Sequence, residues 1–141
     1  MSYEDLTVVI NSMDDEAVEQ VLLLFAGMEL IVSSPPKTGL VMLTVKDSFE
    51  TDFHLGEVLV TRAGIVFQGW EGFGMVSGEA PRRALARAAA DAVFRCPEAT
   101  GIQDNLQACL QKEELMQKKR LAESAALIAA TRVNFDLMPG A

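Results

Sequence analysis

The chain has 141 residues, 50% hydrophobic and 23% charged, which is long enough for one domain with a real core and too apolar for a disordered segment. Its 20 acidic against 12 basic residues leave a formal charge of -8, which opposes a phosphate backbone at long range and sets nucleic acid aside as a partner. Cys96 and Cys109 are too few for a disulfide framework and too far apart for a metal knuckle, so they read as reduced thiols of a cytoplasmic protein.

The opening Met-Ser-Tyr-Glu-Asp is acidic and leads into no basic region with an apolar stretch behind it, so no signal peptide is expected. The longest apolar run, Val21 to Ala26, falls far short of the roughly 20 residues that cross a bilayer, and no membrane association is expected. Residues 3–10 form a possible short helix, opposed by the β-branched run from Thr7 to Ile10. Residues 12–26 read as a helix capped by Ser12, with Asp14, Asp15 and Glu16 in its first turn and Gly27 as its stop. Its apolar stripe is Ala17, Val18, Val21, Leu22, Leu24 and Phe25.

Glu29 to Ser33 is extended, and Pro35-Pro36 predicts a break. Gly39 to Lys46 follows as a strand, buried on both faces at its start. After a polar turn at 47–52 comes a long strand, Phe53 to Phe67, with a bulge expected near Gly56 or Gly64. A turn at 68–72 and a short strand, Phe73 to Ser77, complete an antiparallel sheet of about four strands. Pro81 opens a helix that runs to Arg95 with Leu85, Ala88, Ala89, Ala92 and Val93 on one face. The small residues allow close approach to the sheet.

Residues 98–141 read as a helical C-terminal region and tail. The helix is either continuous or broken near 112–114, and its spare face is expected to meet another chain. The tail, Thr131 to Ala141, is apolar without periodicity; either it packs back on the domain or it is an interaction arm. The fold class is therefore α+β, one domain over 1–141, with helices flanking the sheet.

The stretch from Phe53 to Ala63 concentrates chemistry: His54, Glu57 and Arg62 are the candidate catalytic residues. In an unbroken strand Glu57 faces away from both His54 and Arg62, unless a bulge at Gly56 intervenes. A metal site wants at least three ligands and the chain has a single His, so no metal is expected. Gly72-Phe-Gly74 to Gly78 ahead of a helix has the outline of a phosphate-cradling loop, but the spacing departs from the dinucleotide fingerprint and no Walker lysine follows. Arg82, Arg83 and Arg87 crowd one helix start, either as a solvated face with modest ion pairs or as a contact for an acidic partner.

Three blocks in register resemble the PhnG family of the bacterial carbon-phosphorus lyase machinery. Phe53-His-Leu-Gly-Glu-Val-Leu-Val-Thr-Arg62 is similar to the family's Phe-Asn-Leu-Gly-Glu-x-x-x-Thr-Arg strand. Gly72 to Phe94 resembles its glycine-containing strand and alanine-rich helix with a central Asp-Ala, here Asp91-Ala92. Ala130-Thr-Arg-Val-Asn-Phe135 and Met138 resemble its closing Ala-Thr-Arg-Val-Asp-Phe and Met. The chain departs from the pattern at 45–52, 78–80 and 139–141, where the family carries arginines and this chain carries none.

The resemblance implies an accessory subunit in the first step of phosphonate breakdown. There ATP and an alkylphosphonate give ribose 1-phosphonate 5-triphosphate with release of adenine. It implies no cofactor of the chain's own, with ATP as substrate of the complex, and a PhnI-like partner within a core that also holds PhnH-like and PhnJ-like subunits. Arg82, Arg83, Arg87, Arg132 and Phe135 are the candidate partner or substrate contacts. In isolation the chain is expected to form homo-oligomers. A stand-alone small-molecule-binding or homodimeric protein is the alternative, on account of the absent arginines.

Overall fold

A computed structural model describes residues 2–132 and begins with two helices set by polar caps: α1 (Tyr3–Ser12) and α2 (Asp15–Leu24). At α1 the Ser2 hydroxyl accepts from the Asp5 amide at 3.1 Å while the Asp5 carboxylate accepts from the Ser2 amide at 3.3 Å, a reciprocal capping box. At α2 the cap is Asp14, which accepts from the Ala17 amide at 2.8 Å. Ser12, expected to begin this helix, is instead the last residue of the preceding one. The β-branched run is helical because Val9 and Ile10 are buried in the core, and packing outweighs propensity in so short a helix. Gly27, with φ of 81°, turns the chain out of α2.

The sheet has three strands, β1 (Leu30–Lys46), β2 (Asp52–Phe67) and β3 (Trp70–Ser77), antiparallel in the order β1-β2-β3. The expected fourth strand is the first half of β1, which runs straight through Pro35 and Pro36. An edge strand tolerates prolines because one row of its amides has no sheet partner to lose. The irregularity shows in the register, which shifts between Val32 and Ser34 and again between Ser34 and Lys37.

The helix α3 (Pro81–Arg95) covers β2 and β3, and its alanines Ala84, Ala88 and Ala92 are fully buried. Opposite them stand Gly72 and Gly74 of β3. A Cβ on Gly72 would overlap the backbone of Ala88 and Ala92, and one on Gly74 would overlap that of Ala84 and Ala88. The core beneath includes Ala63, Ile65, Phe67 and Val76 from the sheet, Val9, Ile10, Val18 and Val21 from α1 and α2, Phe25 just past α2, and Val93. Leu106 and Leu110 of α4 (Thr100–Ala130) close it. This last helix is continuous through 112–114, about 45 Å long at roughly 1.5 Å per residue, and all of its residues from Lys118 onward are exposed.

Among the described residues, the hairpin of β1 and β2 outruns the elements that cover the sheet. Pairing with β3 ends at Val60 with Ser77, so the stretch from Leu40 to Lys46 and its partners back to Asp52 form a two-stranded arm on the order of 20 Å long. The expectation that this strand begins buried on both faces is therefore wrong: Leu40, Val41, Met42 and Leu43 are all exposed, because neither β3 nor α3 reaches them. Phe49 at the tip is 87% exposed.

Substitution of Gly72 or Gly74 by Ala forces α3 off the sheet and is expected to cost about 3 kcal/mol or more, at or beyond the usual range for overpacking. Gly39→Ala, where a Cβ would meet nothing within 4 Å, serves as the control. Thermal unfolding followed by circular dichroism measures both; equal melting temperatures for Gly74→Ala and the control would refute the close approach.

Candidate functional site

Strand register decides how the three candidate catalytic residues stand. Residues paired across antiparallel strands share a face, and Glu57 pairs with Met42 while His54 pairs with Thr44. Met42 and Thr44 are two apart on one strand, so His54 and Glu57 lie on the same face. The expected bulge at Gly56 is what brings this about: the register shifts between Leu43 and Thr44, leaving Leu55 as the extra residue beside Gly56, whose φ is 149°. From Glu57 to Arg62 the pairing is unbroken, so those two face opposite ways. His54 shares a 3.0 Å contact between Nδ1 and the Thr44 hydroxyl. Among the described residues no ion pair joins Glu57 to Arg62. All three side chains are exposed, His54 and Glu57 on the arm and Arg62 where β2 pairs with β3.

The arginines of α3 divide by depth. Arg82 is exposed and forms a two-pronged ion pair with Glu19, with Nη2 to Oε2 at 2.7 Å; the guanidinium's hydrogen bond holds the Glu19 carboxyl below its ordinary value. Arg83 points inward. Its Nη1 donates to the carbonyls of Ile10 at 2.7 Å, Asn11 at 3.3 Å and Met13, and Nη2 meets Asp15 at 3.2 Å. A cation gathering the last carbonyls of α1 satisfies acceptors the helix leaves open and favours its dipole. Arg87 is buried at 1% exposure, with Nε donating to the Thr7 hydroxyl at 3.1 Å. Of the three, only Arg82 stands on a surface that another molecule can reach. Arg132 is exposed just beyond α4, and Phe135 lies outside the described residues.

Two side chains not singled out for a role carry much of the local geometry. Thr61, beside Arg62, is buried; its hydroxyl donates to the Gly78 carbonyl at 2.6 Å and accepts from the Ala80 amide at 3.1 Å, fixing the turn from β3 into α3. Asp91 is buried too, accepting from the Phe73 amide at 2.9 Å and pairing with Arg95 at 3.2 Å. A threonine on the core face of a strand and an acid amid alanines on a helix are the signals that mark them. The glycine loop resolves the same way. Gly72 and Gly74 sit within β3 and face α3, and the room they leave is filled by helix backbone, with no cradle for a phosphate.

Cys96 is buried and Cys109 half-buried, and burial pushes the Cys109 thiol up, away from nucleophilic character. Among the described residues no three His, Cys, Asp or Glu side chains gather where they could hold a metal ion. No described helix is long and apolar enough to cross a membrane.

The family model described as phosphonate metabolism protein PhnG matches residues 4–140, essentially the whole chain. No curated protein matches it by sequence.

The depth of the arginines separates structural from contact roles. Arg83→Ala is expected to destabilise the fold by about 2–3 kcal/mol, the range for hydrogen bonds made by a charged donor, while Arg82→Ala changes stability by no more than about 0.5 kcal/mol because its pair is exposed. Urea unfolding of the two variants checks this; a larger loss for Arg82→Ala would reverse the assignment.

Proposed function

We propose, because the chain belongs to the PhnG family of phosphonate metabolism proteins, that it is a non-catalytic subunit of a cytoplasmic carbon-phosphorus lyase assembly. In this reading it supports formation of ribose 1-phosphonate 5-triphosphate from ATP and an alkylphosphonate, with release of adenine. A PhnI-like subunit performs the base displacement, and PhnH-like and PhnJ-like subunits complete the core. ATP is the substrate of the whole and not a cofactor of this chain.

The observation that carries the reading is the uncovered arm. Its open face presents Val41, Leu43, Phe53 and Val58, and its other face Leu40, Met42 and Leu59, all exposed. Leu121, Leu127 and Ile128 on the free half of α4 are exposed as well. Monomeric proteins seldom leave so much contiguous apolar surface in water, whereas a stable interface buries roughly 800 Å² on each partner around an apolar centre. The candidate catalytic side chains point the same way. His54 and Glu57 stand exposed on the arm, Arg62 faces away from Glu57, and general acid-base work requires groups held around a reacting atom.

Co-expression with PhnI-like, PhnH-like and PhnJ-like partners is the test. The chain is expected to co-purify with them, and adenine release from ATP should require the joint complex. Leu43→Lys with Phe53→Lys, both exposed on one face of the arm, should reduce co-purification at least tenfold, with the circular dichroism spectrum unchanged. Failure of the unaltered chain to co-purify would sink the subunit reading. In isolation it should self-associate, and light scattering showing a strict monomer would count against an adhesive arm.

A further inference from the structure

The open face of the sheet holds a second feature, separate from the arm. A hollow of about 420 Å³ is lined by Ser33, Ser34, Pro35, Lys37, Arg62, Ala63 and Phe73. Beside it lies Gly64, over which the two serines fold: a Cβ there would lie 2.8 Å from the Ser33 hydroxyl, 3.2 Å from the Ser34 Cβ and 3.4 Å from the Ser34 hydroxyl. Successive residues of a regular strand point to opposite faces. Ser33 and Ser34 both reach the same spot because β1 shifts register on either side of Ser34, and bulges re-aim side chains in this way.

The wall toward the arm is cationic. Lys37 and Arg62 are direct cross-strand partners, and like charges placed opposite each other repel. Among the described residues neither takes part in an ion pair, although the chain carries a formal charge of -8. Two unneutralised cations and two hydroxyls thus border one hollow. One acidic group stands at the rim, Glu71, whose carboxylate accepts from the Ser33 hydroxyl at 3.5 Å.

We propose that this hollow binds a tetrahedral, doubly charged oxyanion of the phosphate class, held by Lys37 and Arg62 with hydrogen bonds from Ser33 and Ser34. Two cations match two negative charges, where a carboxylate would neutralise only one. Donors arriving from two strands suit a tetrahedral group better than a planar one, and hydrogen bonds between charged partners are about twice as strong as neutral ones. Phe73 offers an apolar wall for an organic substituent. The site lies within this chain alone, so its failure would leave the subunit reading untouched, and the reverse holds as well.

Titration of the full chain with inorganic phosphate, followed by calorimetry and amide chemical shifts at constant ionic strength, tests the assignment. Saturable binding is expected, with shifts at Ser33, Ser34, Gly64 and Arg62, and acetate should bind at least tenfold more weakly. Lys37→Gln with Arg62→Gln, both exposed, should lose at least tenfold in affinity, while Lys37→Arg retains it. Gly64→Ala, whose Cβ would displace the Ser33 and Ser34 hydroxyls, should lose a similar factor, and Glu71→Gln, which removes the repelling charge, should gain about twofold or more. Phenyl phosphate binding more tightly than phosphate would assign the Phe73 wall to an organic ester; the reverse order would assign the site to the free ion. Absence of saturable binding by the unaltered chain, or unchanged affinity in the folded double-Gln variant, would overturn the proposal.

Discussion

The close approach of α3 to β3 is the constraint from which the rest of the structure follows. With Gly72 and Gly74 facing Ala84, Ala88 and Ala92, helix backbone rests almost directly on strand backbone. At that separation the longer side chains beside the alanines have no route to water. Arg87 and Asp91 are buried for that reason, and each is held by a hydrogen bond to a neighbouring element, Thr7 of α1 and the Phe73 amide of β3. Arg83, one turn before Arg87, then reaches the carbonyl end of α1 and ties the α1–α2 corner to the same helix. The covered half of the sheet is thus clamped from its backbone outward, and a buried charge without a partner would undo it.

The same contact explains what is left bare. A 15-residue helix laid over β2 and β3 covers only as much sheet as its length and width allow, and β3 is only 8 residues long. Strands of 17 and 16 residues must then extend past it as a pair. A two-stranded ribbon in water is marginally stable unless something covers a face. Among the described residues its apolar side chains lie outside the domain's core. The continuous α4 repeats the arrangement: Leu106 and Leu110 anchor it, Gln117 donates to the Val9 carbonyl at 3.0 Å, and from Lys118 to Ala130 every residue is exposed among the described residues.

How legible this was in the sequence depended on whether the deciding interaction was local. Periodicity located α2, Pro81 the start of α3 and Gly27 the turn after α2, although α2 is capped by Asp14 and not Ser12, and the Gly56 bulge was visible because an isolated glycine within a strand has few other uses. The double proline misled, because a proline's effect on a strand depends on whether the strand lies at the edge, a tertiary fact. The run from Leu40 to Leu43 misled in the same way: apolar residues on both faces look alike whether the cover comes from the same chain or from another. Arg83 and Arg87 read as a surface pair because spacing along a helix gives the face and not what lies against it. The site residues His54, Glu57 and Arg62 were visible as chemistry, but only the register could show that the first two share a face and the third does not.

The irregular part of β1 also limits how another chain can meet this one. An edge strand with regular spacing offers a row of amides and carbonyls on which a further strand can add. Between Ser33 and Lys37 that row is interrupted by Pro35, Pro36 and two register shifts, so strand addition is blocked beside the hollow. Beyond Gly39 the pairing with β2 is regular as far as Leu43, and the free edge is intact there. A strand added along the arm would therefore stop short of Lys37 and Arg62, leaving the hollow open in the presence of a partner. Backbone irregularity at the edge keeps the exposed apolar surface and the cationic hollow apart on a single pair of strands.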